Sequence, residues 1–250
     1  MTEFSYQLYS SRNFPPLGDT LRMLANLGYA QVEGFGGLFA DQDAVDALAA
    51  GLAETGLKMP TAHFGLDLLA DPDRALSIAK TLGIETVFCP FVMPDDRPSD
   101  AAGWAAFGKT VAEAGNPIWD AGLNYGWHNH DFEFVALDDG QFPFDLIMAA
   151  DDRLVAELDL AWVVRGGQDP LVWLQKYSDR TASVHLKDLA APGENADEDG
   201  WADVGHGTMD WAALMGAARQ TSAQYFVMEH DNPSDHHRFA SRALASAKSY

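Results

Sequence analysis

WDAGLNYGWHNH, Trp119 to His130, decides the fold. An alanine-rich amphipathic segment stops at Gly122, and a glycine just past a helix end takes the left-handed conformation that closes it. LNYGWHNH then reads as a short buried strand. It ends in His128 and His130, which share a face at the strand period of two. The same signature recurs as ANLG before YAQVEGF, AETG before LKMPTAHF and KTLG before IETVFCPF. Helix end, glycine, buried strand, repeated in this way, is the βα alternation of a parallel sheet.

Extending the pattern gives eight strand candidates: FSYQLYS, AQVEGF, KMPTAHF, IETVFCPF, LNYGWHNH, LVAELDLAW, ASVHLKDL and AQYFVMEHD. Helices fill the gaps, with LVWLQKYSDR as the sixth and HHRFASRALASAKS as the last. Asp71-Pro72, Asp169-Pro170 and Asn232-Pro233-Ser234-Asp235 read as N-caps followed by first turns. Eight such units in 250 residues predict a single-domain (β/α)8 TIM barrel spanning residues 1–250. An open doubly wound sheet usually carries a glycine-rich phosphate turn after its first strand. The turn here, SSRNFPPLGD, has no such pattern. The acidic, glycine-rich stretch from Ala190 to Gly207 follows the seventh strand and is expected to be a lid-like βα loop over the active face.

The net charge is −21, from 37 acidic and 16 basic residues. That balance disfavours a nucleic-acid or anionic-membrane partner, because binding phosphates needs a basic surface. It fits neutral or metal-bound small molecules, and also plain solubility. The single cysteine, Cys89 in VFCPF, excludes an intrachain disulfide and a thiolate cluster, and reads as a buried inert thiol. The N-terminal MTEFSYQLYS has neither a basic nor an apolar targeting region, and no run reaches the length of a membrane span. A cytoplasmic location is the expectation.

Parallel barrels place their chemistry at the C-terminal ends of the strands. The residues there are Glu33, His63, His128 and His130, Asp159, then His185, Lys187 and Asp188, and finally Glu229, His230 and Asp231. Five of the 8 histidines fall at these ends. A lone histidine or glutamate at a strand end is ordinarily a satisfied polar residue; four on neighbouring strands favour a site. Asp159, His185 and Glu229 each close a buried-type run, where an unpaired charge needs a cation or a hydrogen-bond partner. With a fourth ligand from the fifth strand they make a mixed nitrogen and oxygen set, suited to Mn²⁺, Mg²⁺, Co²⁺ or Zn²⁺.

The chain resembles the xylose isomerase-like TIM barrels, the sugar phosphate isomerase/epimerase group. The likeness runs from end to end through YQLYS, VEGF, GWHNHDFEF, ELDLAWVVRGGQDP, VHLKD, VGHGTMDW and VMEHDNPSD. It implies one divalent metal at the barrel mouth, Mn²⁺ first among the candidates, held by Asp159, His185 and Glu229. Many members carry a glutamate on the fifth strand as ligand and base; this chain has His128 there. Either His128 replaces it as fourth ligand, or Glu133 folds back to serve; His128, at the strand end, is preferred, and Glu133 then becomes a substrate-binding carboxylate.

Such a site supports proton abstraction beside a carbonyl. Glu229 or a nearby histidine, His128 among them, is the expected base. Lys187 shares the inward face with His185 and is expected either to stabilise an oxyanion or to pair with Asp188 at the rim. Glu33, His63 and His130 are expected to contact sugar hydroxyls, with Trp162 and Phe35 as apolar walls. Trp127 and Trp173 read as packing against the outer layer. The expected activity is a metal-dependent isomerase or epimerase of a sugar, keto-sugar or sugar derivative acting through an enediolate. The alternative is a lyase, a keto-sugar dehydratase or keto-glycoside-cleaving enzyme using the same enediolate. A DNA-repair endonuclease, a related branch of the superfamily, is opposed by the −21 charge, and a non-catalytic sugar-binding barrel stands as the bland reading. Self-association into a homo-oligomer is left open. The Gly166–Pro170 stretch precedes a helix start, where an anion can bind, but a cap alone accounts for it.

Overall fold

The computed structural model describes residues 3–250. Eight parallel strands form the barrel: β1 Ser5–Tyr6, β2 Gln31–Gly34, β3 Lys58–His63, β4 Thr86–Cys89, β5 Asn124–His128, β6 Val155–Asp159, β7 Thr181–Leu186 and β8 Tyr225–Met228. Their hydrogen-bonded order is β1-β8-β7-β6-β5-β4-β3-β2. The seam between β1 and β2 is bridged at Gln7 and Glu33. There the Gln7 amide Nε2 also donates to Glu33 Oε1 at 2.8 Å. Seven strands lie inside the stretches expected for them and β7 begins one residue earlier, at Thr181; all eight are shorter than expected. FSYQLYS, for example, gives a two-residue strand and then a 3-10 turn over Leu8–Ser11.

Local chemistry explains the element boundaries. The four glycines expected to close helices, Gly28, Gly56, Gly83 and Gly122, have φ between 74° and 91°. Seven helices start at an aspartate whose carboxylate accepts backbone N–H groups: Asp41, Asp71, Asp100, Asp159, Asp169, Asp210 and Asp235. Each cap satisfies orphan donors and complements the helix dipole, so part of the acidity serves local structure. The Gly166–Pro170 stretch is accounted for in this way, since Asp169 caps the helix Pro170–Lys176. Before the last helix the cap is Asp235 itself, and Pro233 stays outside.

Register fixes what meets at the mouth. His128 lies opposite Glu157, and Asp159 opposite His185. The β6–β7 pairing carries an irregularity between Ala156 and Glu157, the kind of bulge that re-aims side chains near sites. Gly126 permits the β5–β6 contact, because a Cβ there would lie 1.8 Å from the Val155 carbonyl oxygen. Trp127 faces outward, edge-on to Phe107 at 5.5 Å, and Trp173 packs among Phe134, Phe142 and Phe144, so both join the outer layer as expected. Cys89 is buried.

The loop after β7 carries regular pairing and many hydrogen bonds despite its acidic, glycine-rich composition. Asp188–Leu189 pairs antiparallel with Trp201–Ala202. The Asp188 carboxylate accepts the backbone N–H groups of Leu189, Gly205, Gly207 and Met209 and the Trp211 indole N–H. Arg165 stacks on buried Trp201 at 3.3 Å. In this arrangement the loop forms part of the wall of the mouth, to which it contributes Asp199. Among the described residues no helix is long and apolar enough to cross a membrane.

Candidate metal centre and active-site cavity

The C-terminal ends of the strands surround a cavity of about 490 Å³ lined by His63, His128, His130, Trp162, Glu229 and Asp231, with Tyr9, Arg12, Phe35 and Phe91 along its rim. A cavity of similar size, about 460 Å³, opens at the opposite end of the barrel among Gln31, Lys58, Glu85 and Tyr225. It holds no histidine, and that end of a barrel ordinarily serves stability rather than chemistry.

His128, Asp159, His185 and Glu229 each offer one ligand atom within 4.8 Å of the others, and all four are buried. Asp159 serves two structures at once. Its Oδ1 caps the helix Leu160–Arg165 by accepting the Ala161 and Trp162 N–H groups, both at 2.9 Å. Its Oδ2 is buried with no hydrogen-bond partner. A carboxylate oxygen is costly to leave in that condition. His185 Nδ1 lies 2.9 Å from Glu229 Oε2 and 4.0 Å from Asp159 Oδ2. The oxygen without a hydrogen bond, although Lys187 Nζ lies 3.6 Å away, the convergence of imidazole with carboxylate and the burial together fit a divalent ion. The four residues brought together are the four expected from the strand ends.

Burial pushes the Asp159 carboxyl up to about 6, against the pull of Lys187. Burial, reinforced by His185, pushes the His128 imidazole down to about 3, so His128 is a neutral ring at physiological pH. Burial opposes charge on His185 too, but Glu157, Glu229 and Glu33 outweigh it and hold its pKa well above the usual histidine range.

Lys187 enters this cluster as well. Its Nζ donates to Asp231 Oδ1 at 2.5 Å and Glu229 Oε2 at 3.2 Å, and lies 3.6 Å from Asp159 Oδ2. It also sits 4.9 and 4.5 Å from the ring centroids of Trp162 and Trp201. Burial works against its charge, but the three carboxylates keep the ammonium protonated. The expected alternative, a rim pair with Asp188, does not form, because neighbouring strand residues point to opposite faces and Asp188 is spent on the loop.

Two expected substrate contacts lie elsewhere. Glu33 is fully buried beneath the cavity, with Oε1 bonded to His185 Nε2 at 2.7 Å and to the Gln7 amide. Glu133 lies under the turn after β5, where Oε1 accepts the Trp127 indole N–H and Oε2 the His130 backbone N–H, both at 2.9 Å. Burial pushes its carboxyl up to about 8. Neither lines the cavity, and Glu133 does not fold back onto the metal cluster. His63 reaches the cavity, but its Nε2 is bonded to Glu157 Oε2 at 2.6 Å. His130 and Trp162 line the cavity as expected, with ring centroids 5.2 Å apart, and Phe35 forms part of its wall.

Sequence reasoning missed Glu157, Gln7, Arg12 and Tyr9, and gave Asp231 no role. Glu157 had a signal: it sits two residues before Asp159, on the same strand face.

A family described as the xylose isomerase-like TIM barrel matches residues 21–249. The chain belongs to that family. Three solved structures share its fold. A sugar phosphate isomerase/epimerase from Parabacteroides distasonis is 20% identical at a TM-score of 0.80, with 98% of this chain and 94% of that one covered. A 3-keto-D-glucoside 4-epimerase from E. coli is 18% identical at 0.73, with both chains covered completely. A probable 3-DHS dehydratase from Bacillus anthracis is 11% identical at 0.71, covering 99% and 98%. At these identities the likeness is one of fold. No curated protein matches the sequence.

Proposed function

We propose that this protein is a divalent-metal-dependent isomerase or epimerase of a sugar, keto-sugar or sugar derivative, working through an enediolate. The observation that carries the reading is the buried quartet His128, Asp159, His185 and Glu229, two of whose members, His128 and Glu229, line a cavity of sugar-binding size, with an Asp159 oxygen that has no hydrogen-bond partner. These four side chains would hold the ion, with Mn²⁺ the first candidate. A bound divalent ion would act as a Lewis acid toward a ketone oxygen and its neighbouring hydroxyl.

The chain's own groups have distinct tasks. Glu229 faces the cavity and takes the carbon-bound proton, with His128 as the alternative base. The Lys187 ammonium, fixed by three carboxylates, stabilises negative charge on the substrate oxygen. Trp162 and Phe35 supply apolar faces for a sugar ring, and His63 and His130 its polar contacts. The acidic surface does not favour a DNA substrate.

A lyase reading shares these first steps, and one observation favours it. The β5 wall offers His128 and His130, while Glu133 is locked beneath it. No carboxylate from β5 therefore stands ready to return the proton to the other face of the substrate. Lys187 would then protonate a leaving oxygen. Incubation of the Mn²⁺-loaded protein with a panel of keto-sugars in D₂O tests both. Deuterium incorporation next to the carbonyl supports the shared proton abstraction, and new enone absorbance selects the lyase. Neither exchange nor product with any keto-sugar, phosphorylated or not, would refute the proposal.

A further inference from the structure

Beneath the quartet lies a second layer of buried polar groups that the proposed chemistry does not use. Glu157 Oε2 sits 2.6 Å from His63 Nε2, 3.1 Å from His128 Nδ1 and 3.2 Å from His185 Nε2. Glu33 Oε1 sits 2.7 Å from His185 Nε2 and 3.3 Å from His63 Nε2. Gln7 anchors Glu33 from the β1–β2 seam. Every one of these side chains is buried. Three imidazole nitrogens thus face two carboxylates that do not line the cavity.

We propose that Glu157 and Glu33 form a carboxylate floor that positions the histidines above it, fixing which ring nitrogen of His128 and His185 is left to bind an ion. The inference rests on the metal reading and deepens it. A carboxylate oxygen only accepts, so the nitrogen facing it carries the proton. Glu157 therefore holds His128 as its Nδ1–H form and leaves Nε2 with a lone pair. Glu33, with Glu157, holds the proton of His185 on Nε2. By the same rule His185 Nδ1, the nitrogen facing Glu229 and Asp159, carries a proton while no ion is bound, and it is the nitrogen at which an ion would replace that proton. Carboxylates placed behind metal-binding histidines fix tautomer and orientation and raise ligand basicity, and losing one typically lowers metal affinity about 10- to 100-fold.

The lower layer also has the composition of a metal site, since His63, His128, Glu157 and His185 bring one donor each within 4.8 Å. It shares His128 and His185 with the upper quartet, however. Filling both layers would require imidazole rings bonded to metal through both nitrogens. A positioning floor uses each ring once on either side and needs no such bridge. Glu157 and Glu33 are accordingly positioning residues.

The test uses the full chain, Zn²⁺ and Mn²⁺ as probes, and the variants Glu157→Gln, Glu33→Gln and Glu157→Asp. Calorimetric titration is expected to give one ion per chain in the wild type and in all three. Affinity should fall about 10- to 100-fold in both Gln variants, with partial recovery in Glu157→Asp. Long-range ¹⁵N–¹H spectra of the histidine rings give a readout independent of loading. The Nδ1–H form of His128 should be present in the metal-free wild type and lost or mixed in Glu157→Gln. Unchanged affinity in both Gln variants overturns the inference. So does a wild type that binds two ions, one of them lost in Glu157→Gln, since Glu157 would then be a ligand. If the wild type binds no ion, the proposed function fails, and the ring spectra still decide the role of Glu157. Should Glu157→Gln not fold, Glu33→Gln and the wild-type spectra carry the same decision.

Discussion

Replacing Lys187 with methionine separates stability from metal binding. Methionine keeps most of the aliphatic stem between Trp162 and Trp201 and removes only the ammonium. That ammonium lies 2.5 Å from Asp231, 3.2 Å from Glu229 and 3.6 Å from Asp159. Unit charges 4 Å apart attract by about 4 kcal/mol at an effective dielectric of about 20. Desolvation offsets part of this, and removing one partner of a buried pair costs about 3–5 kcal/mol. Lys187→Met should therefore lose about 3–5 kcal/mol of stability in urea unfolding with chelator present. Metal affinity should move the other way. Two of the released carboxylates are proposed ligands, so removal of a competing cation should tighten divalent binding at least ~10-fold, or about 1.4 kcal/mol. Added Mn²⁺ should then restore much of the lost stability by mass action. Turnover should still fall, since the oxyanion contact is gone. A stability loss below about 1 kcal/mol, or weaker metal binding in the variant, would refute the reasoning.

Two further outcomes test the fold around the site. Gly126→Ala should destabilise by about 1–3 kcal/mol or more, because its Cβ would meet the Val155 backbone at 1.8 Å; a thermal midpoint equal to wild type would contradict the β5–β6 register. Burial pushes His230 down to about 4, below the value of about 6.5 for an unfolded chain, so the unfolded state takes up its proton first. Its contribution is complete above pH 6.5 and declines as pH falls toward 4, by about 3 kcal/mol in all. His230→Asn, whose carbonyl can still accept the Asn232 N–H that Nδ1 accepts at 3.2 Å, should flatten that part of the stability profile measured with chelator, and an unchanged slope would count against it.

Much of this structure is legible in the chain because two local signals act together. Glycine-closed helices announce each following strand, and polar residues at strand ends announce the mouth. Asp159, His185 and Glu229 could be picked out because each ends a buried run. Period two also put Lys187 on the inward face, and the same rule argues against its pairing with Asp188. Depth was harder to read. Glu157 and Asp159 share a face, and nothing in ELD tells which stands at the mouth and which lies beneath it. Glu33 looked like a mouth residue because its strand ends at Gly34, yet closure of the barrel at Gln7 places it under His185. The closure is a long-range event that the two-residue β1 does not advertise. Glu133 follows β5 in a turn, where strand periodicity no longer applies. Its position is set instead by the Trp127 indole and the His130 backbone amide.

The central claim is that His128, Asp159, His185 and Glu229 hold one divalent ion. The most direct measurement is the metal content of purified protein after equilibration with Mn²⁺ and removal of free ion. The account predicts about one ion per chain for the wild type. It predicts none for the double variant Asp159→Asn, His185→Ala. Full metal content in that double variant, or none in the wild type, would contradict it.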